Sequence, residues 1–439
     1  MSYVICILFF CFFTWGVIRW KFFNLQGVSR KLIVFAFALK IFAGFVLTLY
    51  YNQNMERSQS DTFRYFDDSE QLHKALSDSP EKYFKMMLFS DDSQELMPYL
   101  NKMDNWFPAQ RTTLYNDNRT VIRLNAFMRL VSFGNYYTHL LFFSVMAFYG
   151  LTFIYKAFHK YFAGKKKILF CIIFLTPSLL FWSSGILKEA PLLLTFGILL
   201  NILNKIFNKK VYWLHYLILI FCTLFLFHLK FYVGLFLVPA VTGYLWIIRL
   251  GGPNPIIKVF LNFSIYFAAT IAWHYQNWNW SLLTVLKWKR QDFLGLAKIE
   301  NAKSLIETGN LEDNPTSFLL NAPLGLWNCI SRPYIWEVYS LAVLPNAIEN
   351  IFIFIFIIVC VLFGKRSNFK TIGYFFIMYA LVFMTIIGMV TPIIGSLVRY
   401  KIPALPLFLM FFLLFLDVDK LKSKLTIFNK TFQKALNKI

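Results

Sequence analysis

"LFCIIFLTPSLLFWSSGILKEAPLLLTFGILLNILN", residues 169–204, is almost continuously apolar, yet Lys188 and Glu189 stand near its middle. A helix needs about 20 apolar residues to cross a bilayer, so the stretch suffices for two spans joined by a tight hairpin. Comparable blocks recur near 2–18, 32–50, 136–155, 168–183, 189–204, 211–228, 231–248, 256–273, 347–363, 371–391 and 402–416, which makes eleven expected spans. Of 439 residues, 58% are hydrophobic and 15% charged, with a mean hydropathy of +0.55. A soluble chain of this length has no use for so much apolar side chain. The expected fold class is all-α, a polytopic transmembrane helical bundle.

The net charge of +22 is distributed by topology. Short hydrophilic segments at 19–31, 156–167, 204–210, 249–258, 364–370 and 417–439 carry 23 Lys or Arg and two acids, Asp417 and Asp419. They alternate with two long segments, 51–120 and 274–345, which hold 18 of the 22 acids. Basic loops on one side are the positive-inside pattern, so the N-terminus is expected outside and the C-terminus inside. The basicity needs no nucleic acid to explain it; attraction of the tail to anionic lipid adds to it. One integral membrane domain is expected over 1–416, with large extracytoplasmic loops at 51–135 and 274–345 that contain short helices. A basic cytoplasmic tail follows at 417–439. The first span lacks a basic leading region and a small-residue cleavage site, and it reads as a retained anchor.

Six cysteines lie mostly inside spans without metal-ligand spacing, and six histidines are scattered. Neither pattern points to zinc. No phosphate-binding glycine loop or nucleotide fingerprint is present, so cytosolic ATP is not implicated.

With this topology, Ser183 and Ser184 mark an outer hairpin tip, and Lys188 and Glu189 fall one turn into the next span. Pro177 is expected to kink the preceding one. A lysine in a first helical turn opposes the helix dipole unless the site holds an anion. Two readings stand: an anion site, or a Lys188–Glu189 pair snorkelling to the headgroups. "GSLVRYKIPALP", 395–406, repeats the arrangement, with Arg399 and Lys401 at the outer start of the last span and Pro403 and Pro406 in its first turns. "FHLKFY", 227–232, contributes Lys230 at a third outer hairpin. Cations at three such tips point to a phosphate or pyrophosphate, the head of a lipid-linked substrate. Lys40, in the middle of span two, is too deep to snorkel. It must find a carbonyl or a carboxylate such as Glu189 or Glu349, in a structural role.

The first long loop brings Asp61, Asp67 and Asp68 close after span two. A general base there, with cations for a departing phosphate, suits glycosyl transfer. Asp61 with Asp67 or Asp68 is also a possible oxygen site for a divalent cation, although the chemistry requires none. Residues 119–133 are amphipathic, and the expectation is an interfacial helix with Arg119, Arg123 and Arg129 at the headgroups. In the second loop a helix is expected around 281–306. Trp327, Tyr334 and Trp336 then stand beside Arg332 and Glu337, either as belt aromatics or as faces on which a sugar stacks.

"DTFRY", Asp61 to Tyr65, resembles the D-E-x-R-Y-type motif of the GT-C membrane glycosyltransferases, with Thr62 where that motif carries its second acid. "RYKIPALP", Arg399 to Pro406, resembles the R-Y-x-x-P-x-x-P opening of a late helix in related enzymes. The segments "PSLLFWSSGILKEA" and "RPYIWE" are similar to membrane proteins of bacterial polysaccharide loci. The resemblance implies a bacterial inner-membrane, multi-pass glycosyltransferase acting outside the cytoplasm. It would move a sugar from a polyprenyl-phosphate donor to a glycan, lipid or protein acceptor. Asp61 would be the base, with Asp68 as substitute, and Arg64 and Tyr65 would line the site. Lys188, Glu189, Lys230, Arg399, Tyr400 and Lys401 would surround the lipid phosphate; Arg332 and Glu337 would bind sugar or acceptor. The layout equally resembles the Wzy-type O-antigen and exopolysaccharide polymerases. A flippase or exporter is the non-enzyme alternative, for which a path of charges through several spans is expected and only Lys40 is found.

Overall fold

A computed structural model gives the structure of residues 2–89, 92–107, 117–252, 254–276, 280–299, 304–340 and 343–424. Residues 425–439 of the basic tail and 300–303 of the helix expected at 281–306 lie outside the described residues. Nineteen α-helices run in chain order among the described residues. They are α1 (Ser2–Arg19), α2 (Arg30–Asn54), α3 (Asp61–Asp78), α4 (Pro80–Leu88), α5 (Met97–Leu100), α6 (Asn118–Ser132) and α7 (Tyr136–Phe158). Then come α8 (Lys166–Phe174), α9 (Pro177–Trp182), α10 (Glu189–Phe207), α11 (Trp213–Leu235), α12 (Leu237–Arg249) and α13 (Pro255–Gln276). The last are α14 (Leu282–Ile299), α15 (Pro315–Ser331), α16 (Leu344–Leu362), α17 (Ile372–Val390), α18 (Ile394–Tyr400) and α19 (Leu405–Phe415). Among the described residues no strand occurs, and the β pairing there is two isolated bridges, Leu305–Ile393 and Gly364–Leu416.

Among the described residues, seven helices are long and apolar enough to cross a membrane: α2, α7, α10, α11, α13, α16 and α17. The pair α18–α19, bent by 62°, makes an eighth if it is counted as one span. The chain is thus an all-helical, multi-pass membrane protein. Three other apolar blocks fold into shorter pieces. The block at 168–183 is broken at Thr176–Pro177 into α8 and α9, α12 has 13 residues, and α1 has 18.

The chain divides into two compact units. Unit 1 comprises 1–157, 173–235 and 284–301; unit 2 comprises 158–172, 236–283 and 302–439. In unit 1, α7 and α10 cross where Gly150 meets Gly197. A Cβ on Gly150 would lie 2.2 Å from the Leu193 carbonyl oxygen, and one on Gly197 would lie 2.2 Å from that of Gly150. Small residues permit this approach of two backbones, which replaces the hydrophobic drive that lipid does not supply. Lys40 is buried in α2, and its ammonium donates to the Ser183 hydroxyl (2.5 Å) and to the Leu179 and Leu180 carbonyls (3.2 and 3.4 Å). It therefore caps the end of α9, and no carboxylate of the described residues is its partner.

The hydrophilic segment after α2 forms α3 to α6. Here one expectation is corrected: the arginines of α6 face the protein, not headgroups. Arg119 donates to the Trp106 carbonyl (2.8 Å), Arg123 to that of Met86 (2.9 Å), and Arg129 to Ser69 Oγ and the Phe66 carbonyl (both 2.8 Å). Phe127, Leu130, Val131 and Phe133 face outward instead. The carbonyls that the arginines serve lie in α3 (Phe66), in the last turn of α4 (Met86) and in the loop after α5 (Trp106), and the guanidinium forks supply their donors.

In unit 2, α15 and α17 cross at Gly325 and Gly388, where a Cβ on Gly388 would fall 1.8 Å from the Gly325 carbonyl oxygen. Lys165 donates to the Leu413 and Leu414 carbonyls (3.1 and 2.9 Å), satisfying the end of α19.

Candidate functional site

Unit 1 holds the larger cluster of chemistry-bearing residues. Helix α3 opens on Asp61, a favourable place for an acid because the first turn is the positive end of the helix. Asp61, Arg64, Tyr65 and Asp68 follow at spacings of three and four, which puts them on one face. Asp61 is half-buried, Tyr65 is buried, and the Tyr65 hydroxyl donates to Asn118 Oδ1 at 2.9 Å. Arg64 reaches the Asp104 carbonyl at 3.2 Å.

Asp68 has a different task from that expected. It is buried and accepts from the backbone N–H groups of Asp104 and Asn105 at 2.8 and 2.9 Å. Burial pushes its carboxyl up to about 6, against the pull of those two donors. Asp67 turns away and forms a two-pronged pair with Arg57 at 2.6 and 2.7 Å. Asp67 and Asp68 are thus held by different partners, the Arg57 guanidinium and the 104–105 backbone. No group of three or more potential metal ligands occurs among the described residues.

Lys188 immediately precedes α10 and Glu189 begins it, so both lie at the very start of that helix and not a turn inside. The segment bearing them is held on two sides. Ser144 donates to the Ser184 carbonyl at 2.9 Å, and a Cβ on Gly44 would stand 2.8 Å from that oxygen. Lys188 pairs with Asp117 at 2.6 Å, and its ammonium lies 5.9 Å from the centre of the Tyr65 ring. Glu189, fully buried, pairs with Lys230 at 2.6 Å. Lys230 does not sit in a hairpin tip. It sits at a break within α11, in extended backbone (φ −156°, ψ 89°), which frees its side chain to reach α10.

Asp117, Lys188, Glu189 and Lys230 thus form a row of alternating charge beside Tyr65 and Asn118. Each cation has a carboxylate within ion-pair distance, and the row is neutral. Asp117 and Asn118 escaped the sequence reading because 71 residues separate Asp117 from Lys188. The available signal was an aspartate directly before an amphipathic helix, which reads only as a cap.

Unit 2 contains a second cluster. Arg332 and Glu337 form an ion pair; Glu337 also accepts from the Tyr334 N–H at 2.9 Å, and Arg332 Nε donates to Asn328 Oδ1 at 3.0 Å. Tyr334 and Trp336 stack at 4.8 Å with 19° between planes, and Trp336 is 78% exposed. The Asn350 amide nitrogen donates to the Ser331 and Pro333 carbonyls, both at 3.1 Å, and its oxygen accepts from Lys401 at 2.9 Å. Lys401 is buried, and among the described residues no carboxylate lies within ion-pair distance of it. Asn350 was not singled out in the sequence. Arg399 and Tyr400 close the short helix α18, and Lys401 follows as its C-cap. The expected helix N-terminus at Arg399 is corrected accordingly: α19 begins only at Leu405, since Pro403 cannot continue α18 and breaks the run.

No family model matches the sequence, and neither a curated protein nor a solved structure shows significant similarity to it.

Proposed function

We propose that the chain is a membrane glycosyltransferase that takes a sugar from a polyprenyl-phosphate donor and transfers it to an extracytoplasmic acceptor at the bacterial inner membrane. The supporting observation is the unit 1 cluster: an aspartate at the start of α3, on the same helix face as Tyr65 and one turn before it, and the Tyr65 ring borders the Lys188 ammonium. In the transfer, Asp61 accepts the proton of the acceptor hydroxyl and the hydroxyl oxygen bonds to the anomeric carbon. The bond from that carbon to the phosphate oxygen breaks, and the electron pair leaves with the phosphate. Negative charge grows on the leaving phosphate as the bond lengthens, so a cation there binds the transition state more tightly than the substrate. Lys188 is assigned that role, with the buried Glu189–Lys230 pair fixing the start of α10 beside it.

In unit 2, taken by itself, the exposed Tyr334–Trp336 stack beside Arg332 and Glu337 is assigned to sugar or acceptor binding, since the apolar face of a sugar ring packs on such a surface. Lys401, with Arg399 and Tyr400 before it, is a further place for an anion.

The test compares lipid-linked and surface glycans, by gel and mass spectrometry, in cells carrying the wild type or Asp61→Asn. A glycan one sugar short in the variant is the expected result. Single repeat units without a long ladder would assign a Wzy-type polymerase instead. An unchanged profile from a normally expressed variant removes Asp61 from the chemistry.

A further inference from the structure

Asp117 stands directly before α6, where an aspartate ordinarily caps the helix by accepting from its first unpaired N–H groups. It makes no capping hydrogen bond. Its carboxylate goes instead to Lys188, at 2.6 Å, and no other carboxylate of the described residues pairs with that lysine. The two ion pairs of the charged row are unlike. Glu189 and Lys230 are 0% and 5% exposed and locked together, whereas Asp117 is 35% exposed and Lys188 12%. The outer pair is open on the side of the aspartate.

We propose that Asp117 is an exchangeable counter-ion, which holds Lys188 while the site is empty and yields it to a prenyl phosphate anion. This rests on reading the cluster as a lipid-phosphate site. A nearly buried ammonium is costly without a negative partner, so Asp117 keeps the empty site neutral. One ammonium cannot serve a carboxylate and a phosphate equally well, because the two anions repel each other. The displaced carboxylate has a prepared destination one residue away, the positive N-terminal end of the 15-residue helix α6. Exchange trades a salt bridge for a cap plus a phosphate contact, and no charge is left bare at either end.

The experiment measures binding of farnesyl phosphate to the purified full chain in nanodiscs by calorimetry, with farnesol and inorganic phosphate as comparison probes. Asp117→Asn and Asp117→Ser can still cap α6 but no longer compete for Lys188. They are expected to bind farnesyl phosphate about ten-fold tighter than wild type, and Lys188→Gln at least about ten-fold weaker. Equal or weaker binding by both Asp117 variants, with thermal midpoints showing them folded, overturns the exchange. Tightening toward inorganic phosphate alone supports the exchange and removes the lipid as its ligand. Glycosyl transfer is assayed separately. Tighter binding in the variants without transfer by wild type leaves the exchange standing and removes the transferase. Transfer by wild type with binding unaltered in the variants does the reverse.

Discussion

Asp68 lies in mid-α3 with both carboxylate oxygens taken by the N–H groups of Asp104 and Asn105. Its carboxyl is raised from 3.8 to about 6 because burial penalises the charge. The folded protein therefore binds a proton there more tightly than the unfolded chain does. The resulting stabilisation is fully present below the unfolded value and is lost as pH rises through about 6. Thermal midpoints of the purified protein at pH 5 and pH 8 are expected to differ in favour of pH 5 by more in wild type than in Asp68→Asn. The difference between the two proteins corresponds to on the order of 1–3 kcal/mol. An identical pH dependence in both would remove Asp68 from this role. Single residues were legible in the sequence where the bilayer leaves few choices. Lys40 in mid-span had to find carbonyls or a carboxylate, and it found the carbonyls of Leu179 and Leu180. Which carbonyls could not be read, because the break at Thr176–Pro177 decides where they emerge.

Helix packing turns on a few glycines. At the α15–α17 crossing, a methyl on Gly388 would collide with the Gly325 carbonyl, whereas a Cβ on Gly295 in α14 meets nothing within 4 Å. Gly388→Ala is expected to destabilise by about 1–3 kcal/mol through overpacking. Gly295→Ala is expected to be neutral or to stabilise by up to about 1 kcal/mol, since it only limits the unfolded chain. Thermal unfolding in detergent distinguishes the two, and equal midpoints would contradict the close crossing. The existence of α6 was legible from its amphipathic pattern, but its rotation was not. Periodicity separates an apolar from a polar face without saying what each face meets. Here the arginines serve carbonyls of α3 and of the loop after α5, and Phe127 and Leu130 turn outward. Likewise, "GSLVRYKIPALP" reads as one helix start, while the chain makes two helices bent by 62°.

For the whole molecule, the apolar blocks were sufficient to establish an all-helical membrane protein, but not to number its spans. Among the described residues, eleven blocks become seven helices of sufficient length, a bent pair and shorter pieces. The two units were invisible in sequence because each is assembled from separated segments. The pairing of Lys188 with Asp117 was hidden for the same reason, although Lys188 and Tyr65 had both been singled out. The most direct test is chemical. Purified protein in nanodiscs is given a polyprenyl-phosphate donor with a radiolabelled sugar and a membrane extract as source of acceptor, and label leaving the donor is followed. Wild type is expected to transfer the label, and Asp61→Asn to do so at least about 100-fold more slowly, the scale of losing a general base. A donor left intact by folded wild type, or equal rates in the two proteins, would contradict the proposed glycosyl transfer through Asp61.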